Sequence, residues 1–302
     1  MFDLSRLRLL RELAQRGTMI AVGAAFGMTS SAVSQQLATL EHEARVKLLE
    51  RIGRRVRLTA EGQRLVAHAE TILAAVEAAQ LDLKAAGEIP RGVLEIGCFP
   101  SYAKARLVPA IIRAQTRYPE MRVLLHELEP ADSIAAVREG RCQMAVSFGY
   151  NLAPRPETAG LAATQLLEEP VLLALPKSWR ASRNPIDLKR LADADWIVGS
   201  RQKDDVDLAE RACALAGFVP RMTHTIDDYD LLLRMVAAGC GIGFVPELGL
   251  QSPAAKGVIL RAPRGVPIRR QVTALTRRTL TQSPLVRALL AELGSARYKP
   301  QA

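Results

Sequence analysis

Cysteine is sparse in this chain and scattered: Cys98, Cys142, Cys213 and Cys240 form no C-x-x-C pair. That spacing excludes a zinc knuckle or a redox dithiol and suits a reducing, cytoplasmic setting. No stretch reaches the 18 or so apolar residues that a membrane span requires. The opening Met-Phe-Asp-Leu-Ser-Arg-Leu-Arg is amphipathic rather than a basic patch with an apolar core, so no secretory signal is expected. The four histidines (His42, His68, His126, His224) are isolated, without H-x-x-x-H or H-E-x-x-H. Nucleophile elbow, P-loop and paired-carboxylate arrangements are also missing, which argues against an enzyme and against a resident metal or cofactor.

What is present is ordinary globular material: 302 residues, 49% hydrophobic and 24% charged, enough for two or three domains. The charge of +10 is uneven. Residues 1–90 hold 12 basic and 10 acidic side chains, residues 91–260 hold 20 of each, and residues 261–302 hold 9 and 1. The excess therefore sits mainly at the C-terminus, where it reads as a solvated face.

Three short helices are predicted first. Asp3 caps one carrying Leu4, Leu7, Leu10 and Ala14, ended by Gly17; Thr18 caps Met19 to Phe26, stopped by Gly27. Thr29 or Ser30 caps a third, with Val33, Leu37 and Leu40 on its apolar side. This is helix-turn-helix organisation. The outward face of the third helix carries Thr29, Ser30, Ser31, Ser34, Gln35, Gln36 and Thr39, and residues 29–40 contain no charge. A plain surface helix carries Glu and Lys; hydroxyls and amides suit base edges. Arg51, Arg54, Arg55 and Arg57 follow, around a hairpin expected to turn at Gly53, as a wing meeting phosphates. Thr59 then caps a long helix to about Ala86, on which Leu65, Ala69, Ile72, Val76, Ala79 and Leu83 step by four and three. That is a coiled-coil seam, whose expected mate is the same helix in a second subunit.

Gly17 to Glu41, Leu48-Leu-Glu-Arg51 and Leu58-Thr-Ala-Glu-Gly62 resemble, without a gap, the N-terminal winged helix of LysR-type transcriptional regulators. The resemblance places Ser34 and Arg51 on the phosphate backbone and Ser30, Ser31 and Gln35 at base edges. The chain departs from the family pattern at five positions. Ser30 and Ser31 stand where Gln and Pro are usual, Gln35 where Arg is, Arg45 where Gly is, and Leu49 where Phe is.

Beyond a boundary at Glu88 to Gly92, short apolar strands alternate with helices. Strands are expected at Val93 to Cys98, Val123 to Glu127, Met144 to Phe148, Val171 to Leu175, Trp196 to Val198, Ile242 to Val245, Val258 to Leu260 and Val272 to Leu275. Helices are expected around Leu107 to Ile112, Asp132 to Glu139, Asp207 to Ala216 and Leu285 to Leu293. Alternation predicts a parallel sheet of βαβ units in two half-sized lobes, with a ligand beyond the strand ends. The crevice residues would be Phe99, Pro100, Ser101, Tyr102, Glu129, Pro130, Ser147, Phe148, Gly199, Ser200, Arg201, Asp227 and Phe244. Ser101, a hydroxyl at a helix start, suits a carboxylate, as does Arg201; Glu129, Asp227 and Asp228 suit an amine.

Met235-Val-Ala-Ala-Gly-Cys-Gly-Ile-Gly-Phe-Val-Pro246 matches the C-terminal motif of the same family. The resemblance implies a twin-lobed effector domain with the fold of periplasmic solute-binding proteins. The expected organisation is α/β with an N-terminal all-α winged helix-turn-helix (residues 1–58), a linker helix for dimerisation (59–90) and an effector domain (91–302). Lobe I would take about 91–163 and 267–302, and lobe II about 164–266. Expected partners are double-stranded DNA, a small-molecule effector, further copies of the chain as a homodimer or homotetramer, and RNA polymerase if the protein activates; no membrane is expected. Two rival readings stand beside this one. The first is a thiol-based redox sensor of the same fold, although Gly199 and Ser200 stand where peroxide-sensing members put a reactive cysteine. The second is a cytoplasmic small-molecule-binding protein without specific DNA readout.

Overall fold

The computed structural model describes residues 2–52, 55–84, 89–153, 157–180, 182–199, 204–265 and 267–295, which fall into two compact units meeting in sequence near residue 88. In the first unit the helices are α1 (Leu4–Arg16), α2 (Met19–Phe26) and α3 (Ser30–Ala44). Each starts on the side chain of a capping residue: Asp3 accepts from the Ser5 and Arg6 amides, Thr18 from Ala21, and Thr29 from Ala32. Gly17 (φ 72°) and Gly27 (φ 64°) end the first two in the left-handed region, where an L side chain clashes with its own carbonyl. The third ends at Arg45 (φ 55°), the one non-glycine residue described with positive φ. Its backbone has the conformation that makes glycine the usual family residue there.

Strands β1 (Leu49–Ile52) and β2 (Arg55–Leu58) pair antiparallel as the wing. The turn at Gly53 and Arg54 lies outside the described residues. Helix α4 (Ala60–Lys84) starts on the Thr59 hydroxyl, which accepts from the Gly62 amide and donates to the Lys47 carbonyl. Leu7, Leu10, Leu13, Val22, Val33, Leu37, Leu40 and Leu48 form the core of this unit. The expected seam on α4 is divided. Ala69 is fully buried in that core and Leu65 packs against it, so these two serve the domain itself; Ile72 is exposed and Val76 half-buried. The side chains of Ala79 and Leu83 lie outside the described residues.

In the second unit β3 (Gly92–Cys98) leads into an almost continuous helix: a short α turn, α5 (Pro100–Tyr102), a π turn (Ala103–Leu107) and α6 (Val108–Arg117). Pro109 has no N–H to return to Ala105. The ladder slips there, and the Val108 amide reaches back five residues to Ala103. Then come β4 (Met121–Glu127), α7 (Pro130–Arg138), β5 (Met144–Tyr150) and β6 (Leu161–Leu175). Lobe II continues with β7 (Asp195–Val198), α8 (Asp204–Leu215), β8 (Arg221–Thr225), α9 (Tyr229–Ala237), β9 (Gly243–Pro246) and β10 (Ile259–Arg261). Finally β11 (Arg269–Arg277) and α10 (Pro284–Ser295) return to lobe I.

The expected parallel sheet is instead mixed. β3 is parallel to β4 and β5, and β7 to β8, but β11 is antiparallel to β5 and β6, and β6 is antiparallel to β9 and β10. The last strand, β11, enters between β5 and β6 and runs opposite to both, so β5 and β6 themselves run in the same direction. β6 is also much longer than the Val171 to Leu175 segment expected. Its residues 161–170 pair with β11 in lobe I and its residues 171–175 with β9 and β10 in lobe II. Residues 164–170 therefore hydrogen-bond with β11 in the sheet that carries β5, and from Val171 the pairing passes to β9 and β10. One strand thus belongs to both lobes.

Candidate functional site

On α3, Val33, Leu37 and Leu40 face the core, and Thr29, Ser30, Ser31, Ser34 and Gln35 are exposed. The Thr29 and Ser31 hydroxyls lie 2.9 Å apart in a hydrogen bond. Gln36 behaves differently from the other expected readers. Half-buried, it accepts from Arg6 Nε at 2.9 Å, and Arg6 also pairs with Glu43. Its amide holds α1 to α3 and so is not presented outward. Arg51 and Arg55 stand on the paired wing strands, Arg51 opposite Val56 and Arg55 opposite Ile52; Arg54 lies outside the described residues. Arg57 is exposed.

In the second unit a cavity of about 570 Å³ opens between the lobes. It brings together Phe99, Pro100, Ser101, Glu129, Phe148 and Asp227 from the expected set. Tyr102 and Pro130 are buried behind it. Ser147 faces the opposite side of the sheet, where it lines a separate 190 Å³ hollow, because neighbours along a strand point to opposite faces. Phe244 packs on Trp196 (centroids 5.3 Å) inside lobe II. Gly199 lies behind Asp205: a Cβ there would stand 2.5 Å from the Asp205 carboxylate, so the position admits that side chain by having none of its own. Ser200 and Arg201 lie outside the described residues.

Arg270 on β11 lines the cavity and is the middle of a row of three cross-strand neighbours, with Tyr150 on β5 and Glu169 on β6 opposite it on either side. Arg270 is 1% exposed and Glu169 0%. Arg270 Nε donates to Glu169 Oε1 (2.8 Å) and Nη2 donates to Ser101 Oγ (3.0 Å) in lobe I. The guanidinium also lies against Phe99 and Phe148, 4.9 and 5.1 Å from their ring centroids. Glu169 Oε2 accepts from the Leu248 amide in lobe II at 2.7 Å. Tyr150 Oη donates to Asp205 on α8, also lobe II, at 2.7 Å. The row thus clasps both lobes where the chain passes between them. Burial opposes the charge on Arg270, but the adjacent Glu169 carboxylate outweighs it and holds the guanidinium above its ordinary pKa. Sequence reasoning missed all of this arrangement except Ser101. Glu169 and Arg270 each flank an apolar run, so along the chain each reads like a loop residue, although Glu169 lies inside β6 and Arg270 near the start of β11.

Burial pushes the Asp205 carboxyl above its ordinary value of 3.8; the Tyr150 hydrogen bond and Arg270 pull it back only partly, and Asp227 adds to the rise. Asp204 is raised as well, by burial and then by Asp205 and Asp207. A carboxyl raised on folding favours the fold while protonated, below its unfolded pKa, and that contribution is lost as pH rises through the folded value. Asp205→Asn keeps an acceptor for Tyr150 and removes the charge. It is expected to raise Tm by a few degrees at pH 7 and by nothing measurable below pH about 4; equal gains at both pH values would contradict the assignment.

Three of the four cysteines are buried, and burial pushes the Cys213 thiol up to about 12 and Cys98 higher still, away from the reactive thiolate. Among the described residues no cluster suited to a metal ion occurs, and no helix is long and apolar enough to cross a membrane.

A winged helix-turn-helix with an uncharged polar face, followed by a twin-lobed α/β unit with a lined cleft, defines a DNA-binding regulator with a ligand domain. Residues 4–63 match the family described as "Bacterial regulatory helix-turn-helix protein, lysR family", and residues 87–297 match the "LysR substrate binding domain". The chain belongs to the LysR-type transcriptional regulators: it is a DNA-binding transcription regulator with an effector-binding domain. Similar curated proteins include the HTH-type regulator YfeR of Shigella flexneri, 27% identical across 95% of this chain and 92% of that protein. The dual regulator GltC of Bacillus subtilis is 28% identical across 81% of each. In fold the chain resembles a full-length OxyR variant of Pseudomonas aeruginosa (TM-score 0.74, 20% identity, 97% and 98% covered). It also resembles full-length CbnR complexed with its target DNA (TM-score 0.61, 21% identity, 97% and 99% covered).

Proposed function

We propose that α3 reads bases in a major groove through Ser30, Ser31 and Gln35, with Thr29 and Ser34 at its margin and Arg51, Arg54 and Arg55 on phosphates. A ligand bound in the cavity between the lobes controls this reading. The observation that carries the proposal is the exposed α3 face, which holds five hydroxyl or amide side chains and no charge beside a basic hairpin. Phosphate contacts fix register, and base-edge contacts specify sequence. Two copies, paired through the outer part of α4 where Ile72 is exposed, would present two recognition helices to two half-sites. The protein acts in the cytoplasm, as a regulator and not as a catalyst, and holds no cofactor other than its effector. Effector control requires the ligand to bind two arrangements of the protein with different affinity.

Fluorescence anisotropy on the promoter fragment upstream of its own gene, against a scrambled fragment over a salt series, tests the reading. Arg55→Ala is expected to weaken binding to both fragments and lower the salt slope by about 1. Gln35→Ala is expected to cost about 1–3 kcal/mol on the native fragment alone. Gln36→Ala, by contrast, should act through stability, since that amide is engaged by Arg6. Equal, weak binding of the unaltered protein to both fragments would refute base reading by α3.

A further inference from the structure

Among the described residues, Arg270 is a buried cation on the cavity wall with hydrogen-bonding capacity to spare. Arg270 is 1% exposed and lines the cavity. Its Nε and Nη2 are engaged by Glu169 and Ser101, while Nη1, with two N–H donors, has no hydrogen-bond partner among the described residues. That nitrogen is not among the sealed, unpartnered polar atoms of the interior, so it faces the cavity, where a bound acceptor completes the hydrogen bonding of the guanidinium. The fork is also immobilised by the flanking rings of Phe99 and Phe148, so little entropy is lost when it takes a planar acceptor.

The opposite wall has the reverse character. Of the described charged residues around the cavity, seven are carboxylates and two are cations. The cations are already matched: Arg270 by Glu169, and Lys104 by Asp228 at 3.8 Å. Asp204 and Asp205, on the first turn of α8, crowd one another in a partly desolvated spot, and a positive group beside them would relieve both. Asp205 is linked to Arg270 through Tyr150, the cross-strand neighbour of the arginine.

We infer that the effector is a standard α-amino acid, its carboxylate on Arg270 Nη1 and its ammonium on the Asp204–Asp205 side. This rests on the cavity being the effector site. A volume of about 570 Å³ has room for such a molecule with any side chain. The ligand's two charges would span the row that clasps both lobes, so binding would bear directly on their closure.

The test uses the purified full-length chain. Thermal shift across the standard amino acids identifies the tightest binder. Isothermal titration then compares it with its carboxamide, which lacks the carboxylate, and its des-amino acid, which lacks the ammonium. Each analogue is expected to bind at least ~10-fold more weakly. Asp205→Asn should weaken the parent amino acid by a similar factor and leave the des-amino acid nearly unchanged, a pattern that a merely structural defect would not produce. Arg270→Lys should abolish the preference for the parent over its carboxamide. If no standard amino acid binds, or if either analogue binds as tightly as the parent, the zwitterion assignment is wrong. Operator binding measured on the same preparation separates this from the wider reading. Specific operator binding with no amino-acid binding overturns only the ligand class. Amino-acid binding that leaves operator affinity and footprint unchanged overturns control through the cavity.

Discussion

Arg270→Met is expected to destabilise the C-terminal unit by about 3–5 kcal/mol, the usual effect of leaving one partner of a buried ion pair uncompensated. Glu169 would keep its charge at 0% exposure with the Leu248 amide still donating to it, and Ser101 would lose the Arg270 donor that its hydroxyl accepts from. The pair itself contributes far less, since desolvating two ions offsets most of their attraction. The double variant Arg270→Met with Glu169→Met should therefore recover most of the loss. Urea denaturation of the two single variants and the double variant gives the coupling directly. A cost below about 1 kcal/mol for Arg270→Met would mean that water reaches Glu169 and that the row is not sealed.

Gly62→Ala separates local preference from packing even more sharply, because the two predict opposite signs. Gly62 lies in the first turn of α4, where alanine would ordinarily gain about 0.5–1 kcal/mol over glycine. A Cβ at this position, however, would press into the Leu48 carbonyl oxygen and lie 3.1 Å from both the Leu48 carbonyl carbon and Leu58 Cδ2. That carbonyl cannot easily retreat. It accepts from the Thr59 amide at 2.9 Å, and the Leu48 amide donates to Glu41 at 2.9 Å. The expected result is a loss of about 1–3 kcal/mol in the N-terminal unit, from overpacking against backbone. Operator binding should weaken with it, since both wing strands are anchored at this contact. Thermal melting followed by circular dichroism checks the sign; a gain in Tm would show that α4 and the wing are not packed this closely.

Much of the first unit could be read from the chain alone because its determinants are local. Asp3, Thr18 and Thr29 cap within three residues, Gly17 and Gly27 end helices through their own backbone, and the spacing of Val33, Leu37 and Leu40 decides which side of α3 turns inward. The polar outer face of α3 follows from that same periodicity. Helical spacing puts Gln36 on the outward face, but its amide is held by Arg6, thirty residues earlier, which no helical wheel contains. The α4 seam shows the same dependence on distant residues: Leu65 and Ala69 pack into the core of their own unit, contacts that heptad spacing alone does not reveal.

In the second unit, alternation of apolar runs located strands and helices but not how the strands pair. Pairing is a contact between distant segments, and a strand of given composition serves equally in parallel or antiparallel neighbours. Ser101, Phe99, Phe148 and Asp227 were legible as cavity residues because each sits at a strand end or helix start, where open α/β sheets place their ligands. Composition, caps and periodicity thus determined the two-unit organisation and the reading face of α3. Only the tertiary structure decided the mixed sheet, the strand shared by both lobes and the Tyr150–Arg270–Glu169 row. Glu169 and Arg270 are 101 residues apart. The charge of each is tolerable in the interior only because folding supplies the other, and nothing in the neighbourhood of either residue along the chain carries that information.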